Sequence, residues 1–434
     1  MPAHSRTPQP VYVVRRIAAL AVVVLVAVLG TWAVSRALGS DPAAEVPTAG
    51  ATAPVEVEPS PTPTPTPSPE PEPAVFTLVT AGDVLPHATV NRNAQTADGG
   101  YDYAPMMEPA RQWIEGADIA LCSLEVPLAP EGEAPSAYPV FGAPEQLIDS
   151  LRRVGWDGCA TATNHSLDRG VPGLVRTLEV MDEVGLGHTG TGRTPEETVS
   201  AQFYEVERDG ASFTLAHLSA TTFHNDYTDP SQYADSLHAL DAEAIVELAR
   251  GAREDGADLV LFTPHWGQEY WHEPDGLQQD VAATLAASGQ VDVVLGGHSH
   301  VPQPLIRLDG GADGDGMWVG YSMGNFLSNQ DEKCCDITTA TAMIPRVEIT
   351  VTGEDVRVTD VTWSAAMIDT DGRQRLHPIQ PLLDGDRPDG LTLTDERIRA
   401  RWDAMTSVLG TDRYDPAPPS GGAEVTVVPR GQRG

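Results

Sequence analysis

The stretch VDVVLGGHSH, residues 291–300, decides the fold. Its first half is short, apolar and β-branched, which reads as a buried strand. Immediately past the strand's carboxyl end come Gly296 and Gly297, then His298 and His300. The two glycines free the backbone at that point, so both imidazoles are expected to turn toward one rim. The same arrangement recurs upstream. VFTLVTAGD (75–83) ends on Asp83, ADIALCSLEVPL (117–128) carries Glu125, WDGCATATNH (156–165) ends on Asn164 and His165, and DLVLFTPH (258–265) ends on His265. Helical patterns lie between them at 104–116, 144–155, 170–185, 241–255 and 276–288, with a hairpin-like FYEVERDGASFTLAHLSA at 203–220. Strands alternating with helices call for an α/β domain with a mixed sheet. In such sheets ligands bind outside the carboxyl ends of the strands.

Toward the C-terminus the pattern turns mostly to strands. MWVGYSMGNF (317–326) reads as one strand, and 343–366 as a hairpin turning at Gly353-Glu354. Thr394 is a fitting N-cap for a peripheral helix within 391–409, with Asp395 and Glu396 in its first turn. Residues 411–434 read as a disordered tail.

A lone His or Asp at a strand end is ordinarily a turn or cap residue. Five such clusters at successive strand ends, all of oxygen and imidazole chemistry, indicate a metal site instead. Carboxylate, amide oxygen and imidazole without thiolate suit Mn, Fe, Zn or Mg. Cys122, Cys159, Cys334 and Cys335 have no Cys-x-x-Cys spacing and are too few for a disulfide scaffold. Cys122 and Cys159 read either as small buried strand residues or as a structural disulfide. The adjacent Cys334 and Cys335 could bridge each other only with strain.

Before the domain, residues 17–34 form an uncharged apolar run. As a helix it would measure about 27 Å, against a hydrocarbon core of about 30 Å. Arg15 and Arg16 precede it while Asp41 and Glu45 follow, so the positive-inside bias puts 1–16 in the cytoplasm and the rest outside. The expected localisation is therefore the plasma membrane, with a single-pass anchor at 17–38 and the C-terminal domain extracellular. Residues 39–74 contain PSPTPTPTPSPEPEP (59–73), a polyproline-type linker. The formal charge of −35 excludes nucleic acid as a partner, which needs a basic surface.

The ordered blocks AGDVLPH (81–87), SLEVPL (123–128), TNHSLDRG (163–170), HWGQEY (265–270), GGHSHVPQ (296–303) and YSMGNF (321–326) resemble the CapA family of poly-γ-glutamate capsule biosynthesis proteins. That family is related to the calcineurin-like metallophosphoesterases, and the resemblance covers about 75–345. The expected fold is a four-layer α/β/β/α sandwich over 75–370, preceded by the one transmembrane helix read above, with 371–434 as a C-terminal extension. The resemblance implies two divalent metal ions held by Asp83, Glu125, Asn164, His265, His298 and His300, with Glu125 as the bridge. His165 would be the catalytic proton donor, and His87, Glu269, Tyr270 and Asn325 would line the substrate pocket. If the site is catalytic, the implied reaction is metal-dependent hydrolysis. The implied role is synthesis, export or anchoring of poly-γ-glutamate, in company with a polymer synthase complex; the alternative is an extracellular phosphoesterase acting on phosphate mono- or diesters. Two departures stand out. Leu85 occupies the place of the phosphoesterase Asp-x-His histidine, so that His87 is a substitute candidate. Ser299 stands where CapA relatives usually carry Pro.

Overall fold

A computed structural model describes residues 72–225 and 235–431. The expected anchor (17–38) and nearly all of the linker lie outside the described residues. Among the described residues, no helix is long and apolar enough to cross a membrane.

The strands are, in chain order, β1 (Ala74–Val84), β2 (Ile119–Leu124), β3 (Gly158–Ala160), β4 (Gly187–Thr189), β5 (Gln202–Arg208), β6 (Ala211–Thr221), β7 (Leu259–His265), β8 (Val293–Leu295), β9 (Leu305–Leu308), β10 (Met317–Gly320), β11 (Asn325–Leu327), β12 (Thr341–Thr352), β13 (Asp355–Asp369), β14 (Arg375–Pro378) and β15 (Glu424–Val428). They make two mixed sheets. The first runs β14-β13-β12-β1-β2-β3-β4, with β11 also paired to β1; the second runs β15-β5-β6-β7-β8-β10-β9. Strands β1 to β4 are mutually parallel, as are β6, β7, β8 and β10.

Period-two alternation decides which side chains go where. Phe76, Leu78, Ile119 and Leu121 of the first sheet meet Phe213, Leu215, Leu259, Leu261, Val293 and Leu295 of the second in one buried cluster. The intervening residues face outward. Ala120, Cys122 and Leu124 pack on Leu147, Leu151, Val180 and Met181 of the helices Gln146–Val154 and Gly170–Val184. On the other sheet Ala216, Leu218, Val260, Phe262 and Val294 pack on Ile245, Ala249, Ala282 and Leu285 of the helices Ala242–Glu254 and Gly276–Ser288. Each sheet is thus apolar on both faces, as parallel sheets require. Truncating a leucine of these layers to alanine would cost about 2–5 kcal/mol.

Four sequence expectations need correcting. The helix expected over 104–116 is broken into Ala104–Met107, a 3-10 turn at Glu108–Ala110 and Arg111–Glu115, because Pro109 has no amide proton to continue the ladder. The single strand expected over 317–326 divides between the sheets. β10 pairs with β8, whereas β11 pairs with β1, and Gly324, at φ +69°, makes the crossing. There a Cβ on Gly82 would lie 1.8 Å from the Gly324 carbonyl oxygen, so only glycine fits.

The third and fourth concern the C-terminus. Residues 371–434 are not an appendage, since β14 extends the first sheet and the helix Asp395–Leu409, capped by Thr394, covers Met343 and Trp363 with Ile398 and Met405. The tail expected to be disordered supplies β15, which pairs antiparallel with β5 from Glu424↔Glu207 to Val428↔Phe203. Prolines and glycines at 416–422 hide this short Val-Thr-Val-Val strand in the sequence. Of the two readings left open for Cys122 and Cys159, the structure has the disulfide, joining residues paired across β2 and β3. Cys334 and Cys335 are bridged to each other.

Candidate metal centre

The carboxyl ends of the parallel strands of both sheets open on one cleft. β1 delivers Asp83, the turn after β2 Glu125, the turn after β3 Asn164 and His165, β7 His265, and the turn after β8 His298 and His300. Neither histidine of that last turn is extended. His298 has φ +89° and His300 φ +60°, a region costly for non-glycine residues and characteristic of functional sites. The glycines before them serve close approach rather than rotation. A Cβ on Gly297 would sit 2.6 Å from Asp83 Oδ1, and one on Gly296 would sit 2.4 Å from the Tyr321 carbonyl oxygen. This turn is further fixed by the His298 amide, which donates to Asp83 Oδ2 at 3.1 Å.

Two groups of ligand atoms result, Glu125 with His265 and His298, and Asp83 with Glu125 and His300; within each group the atoms lie within 4.8 Å of one another. Glu125 is common to both. Its Oε1 lies 3.5 Å from His265 Nε2 and its Oε2 lies 3.7 Å from His300 Nδ1. Asp83 Oδ2 is 3.3 Å from His300 Nδ1. Asn164 joins the first group, with Oδ1 2.8 Å from His265 Nε2. His298 Nδ1 is 3.2 Å from the same nitrogen.

These residues fit cations. Glu125 is fully buried, yet neither of its oxygens has a hydrogen-bond partner, a cost of about 1–3 kcal/mol or more if left uncompensated. Asn164 Oδ1, Glu125 Oε1 and His298 Nδ1 converge on one nitrogen of His265; the two oxygens only accept, and that nitrogen can carry only one proton. A divalent ion satisfies them together. Burial alone opposes a charge on His300, but the Glu125 and Asp83 carboxylates outweigh it and raise its pKa. His298, without such a partner, is driven well below the usual histidine range by burial.

His165 stands beside this cluster. Its Nδ1 is 2.7 Å from Asp168 Oδ2. A carboxylate only accepts, so in the tautomer that bonds Asp168 the proton is on Nδ1 and Nε2 is left for the cleft. Asp168 is itself pinned, accepting from the Phe141 amide at 2.7 Å and from Asn225 Nδ2 at 3.4 Å. The Phe141 ring stands edge-on to His165 with centroids 4.7 Å apart. Sequence reasoning missed Asp168 and Asn225. The spacing His165-x-x-Asp168 was the available signal for the first, whereas Asn225 reaches the site only through folding.

A cavity of about 690 Å³ adjoins the cluster, lined by His87, His165, Glu269, Tyr270 and His300 among others. His87, Glu269 and Tyr270 are therefore walls of the cavity. Asn325 is not. It is fully buried behind His300, with Oδ1 3.1 Å from His300 Nδ1 and Nδ2 donating to Gln330 and to the Thr339 carbonyl. Among the described residues His87 belongs to neither ligand group, so it does not take the place vacated at Leu85; its Nδ1 bonds the Leu85 carbonyl at 3.0 Å. Leu85 is a core residue.

Three comparisons relate the chain to known proteins. Residues 77–330 match the family model described as bacterial capsule synthesis protein PGA_cap. The PGA biosynthesis protein CapA of Bacillus subtilis (strain 168) is 27% identical over 186 residues, which are 43% of this chain and 46% of that protein. The capsule biosynthesis protein CapA of Bacillus anthracis is 25% identical over 190 residues, 44% of each chain. The matches thus span less than half the length of these relatives. Among solved structures, the calcineurin-like phosphoesterase YfkN from Bacillus subtilis aligns over 77% of this chain and 99% of its own, at 13% identity and a TM-score of 0.42. A putative 5'-nucleotidase from Staphylococcus aureus aligns over 76% of this chain and 58% of its own, at 16% identity and the same TM-score, 0.42. The ligand groups above rest on this chain's own geometry, and the match over 77–330, more than half of its 434 residues, means that the chain belongs to the PGA_cap family of bacterial capsule synthesis proteins.

Proposed function

We propose that this chain is a membrane-anchored, extracellular, metal-dependent protein that acts on poly-γ-glutamate or a related anionic envelope polymer during its synthesis, export or anchoring. One observation carries the metal dependence: the buried Glu125, with two unpartnered oxygens, is shared between two ligand groups. The polymer assignment is supported by membership of the family and by the names of its relatives. The anchor at 17–38 is supported by the apolar run and its flanking charges.

Asp83, Glu125 and His300 would hold one cation, and Glu125, Asn164, His265 and His298 the other. Bound there, two divalent ions of Mn, Fe, Zn or Mg type would activate water and neutralise an anionic substrate group. The chain's own residues supply the rest. Asp168 fixes the ring of His165, so that Nε2 faces the cleft as the donor of a proton to a departing group. Tyr138, Phe141 and Tyr270 wall the cavity and hold the substrate away from bulk water. The reaction supported is hydrolysis, in which water oxygen bonds to the carbonyl carbon and the departing nitrogen takes the proton from His165.

Elemental analysis of the full chain tests this reading. About two metal equivalents are expected in wild type and fewer than one in Glu125→Gln, alongside metal-dependent cleavage of oligo-γ-glutamate. Protein that binds no metal under any loading condition would overturn it. A second reading, an extracellular phosphoesterase for phosphate mono- or diesters, is favoured by the His165–Asp168 pair, which serves an alkoxide leaving group equally well. Release of nitrophenol from simple phosphodiesters, with no action on γ-glutamyl chains, would establish that reading instead.

A further inference from the structure

A polyanionic substrate poses a problem for this cavity. The chain carries 27 Lys and Arg against 62 Asp and Glu, a net −35. At such a charge an anionic polymer is repelled unless the local field is reversed. The cavity wall formed by Gln330, Asp331, Lys333, Cys334, Cys335 and Asp371 does not reverse it. Lys333 Nζ lies 2.7 Å from Asp371 and 3.6 Å from Asp331. Arg397, behind this wall, lies 3.3 Å from each of those two carboxylates and also pairs with Glu332. Arg401 is 3.1 Å from Glu332. Three cations and three carboxylates therefore cancel. His87 is held neutral by burial, which pushes its pKa down to about 4.

One charge remains. Glu269 is exposed at the cavity, and among the described residues no lysine or arginine forms an ion pair with it. The backbone that presents it is itself unusual. Tyr270 has φ +65°, a costly geometry for an aromatic residue, and its amide is tied to the Ser299 carbonyl at 2.8 Å. Its ring lies 6.1 Å from that of His300. The backbone beside Glu269 is thus fixed next to the ligand cluster.

We propose that the cavity recognises a ligand end bearing an ammonium group together with oxygen donors, and that Glu269 is the residue that selects the ammonium. Resting on the polymer reading above, this identifies the amino-terminal residue of a γ-linked glutamate chain as the part bound. That residue carries a free α-ammonium, an α-carboxylate and the γ-amide carbonyl. Its oxygens suit the ligand cluster and its ammonium suits Glu269. The interior of the polymer, which has only carboxylates and amides, offers that residue an amide N–H but no cation. Binding is then at a chain end, and its register is counted from the amino terminus.

Calorimetric titration of the metal-loaded full chain, with tetra-γ-glutamate carrying a free or an acetylated amino terminus, tests the proposal. Acetylation is expected to weaken binding to wild type at least tenfold. In Glu269→Gln the two forms are expected to bind with the same Kd, near that of the acetylated form on wild type. Equal affinities on wild type would overturn the inference while leaving the polymer reading intact. So would Glu269→Gln tightening both forms by the same factor, because the carboxylate would then act only by repulsion. If neither form binds to protein shown by elemental analysis to be loaded, the polymer reading itself fails and this inference falls with it.

Discussion

His298 and His300, separated by one residue, turn their rings into the same cleft with centroids 6.2 Å apart, because both backbones sit at positive φ. They serve different ligand groups, and Asp83 braces the turn between them through the His298 amide.

That turn leaves no room beside Asp83. In Gly297→Ala the new Cβ would press on Asp83 Oδ1, 2.6 Å away. Asp83 cannot easily retreat, since Ser123 Oγ and the His298 amide hold its two oxygens. Metal affinity is expected to fall at least tenfold with the circular dichroism unchanged. A variant that retains full metal content would show that Asp83 is not a ligand.

Metal removal should destabilise the fold by linkage. A ligand present at a hundredfold excess over its Kd contributes about 2.7 kcal/mol. Chelation is therefore expected to lower the urea midpoint of wild type and to leave that of Glu125→Gln unmoved. Equal chelator sensitivity in both proteins would count against Glu125 as the shared ligand.

Asp168 acts through His165, so Asp168→Asn should leave metal content intact and change proton transfer. The expected loss is in kcat, at least tenfold and up to about 10⁴-fold, with KM within about twofold, on whichever γ-glutamyl or phosphodiester substrate is turned over. Nitrogen NMR of the His165 ring supplies an independent readout. The proton should leave Nδ1 for Nε2 in the variant, and an unchanged tautomer would remove the positioning role.

His217 lies buried between the sheets, its Nε2 2.9 Å from Thr263 Oγ1, and burial lowers its pKa from 6.5 to about 3. The unfolded chain binds a proton that the folded ring refuses. Stability from this group is therefore fully present above about pH 6.5 and is lost as pH falls toward 3. Between pH 8 and pH 5 the loss is about 2 kcal/mol. Urea unfolding of His217→Gln should show a pH dependence shallower by about that amount; an identical slope would mean that the ring is protonated in the folded protein.

Ending the chain at Ala423 would remove β15 and make β5 an edge strand. It would also delete Arg430, which bonds the Thr191 carbonyl at 2.8 Å, His188 Nδ1 at 3.1 Å and Ser200 Oγ at 3.2 Å. Those partners would be stranded in a buried place, at a cost on the order of 3–5 kcal/mol. Unchanged urea stability of the shortened chain would contradict the role given to this strand.

Hydrophobic periodicity determined most of what could be read from the sequence alone. Apolar runs at 75–83, 117–124, 156–163, 258–265 and 291–295 read as strands of a buried sheet, and the polar residues closing them had to collect at one end. That placed Asp83, Glu125, Asn164, His265, His298 and His300 in one neighbourhood before any coordinates. What the sequence could not carry is whatever depends on two distant segments meeting. Tertiary structure alone decided that 317–326 divides between sheets, that Val425 and Val427 close an edge 219 and 223 residues from their partners Val206 and Tyr204 on β5, and that Asn325 stands behind His300 rather than in the cavity. It also decided that Lys333, Arg397 and Arg401 are cancelled by Asp331, Glu332 and Asp371 while Glu269 is not. Periodicity is a local property of the chain, whereas the pairing of charges and the crossing of a strand between sheets are fixed by which surfaces the core brings together.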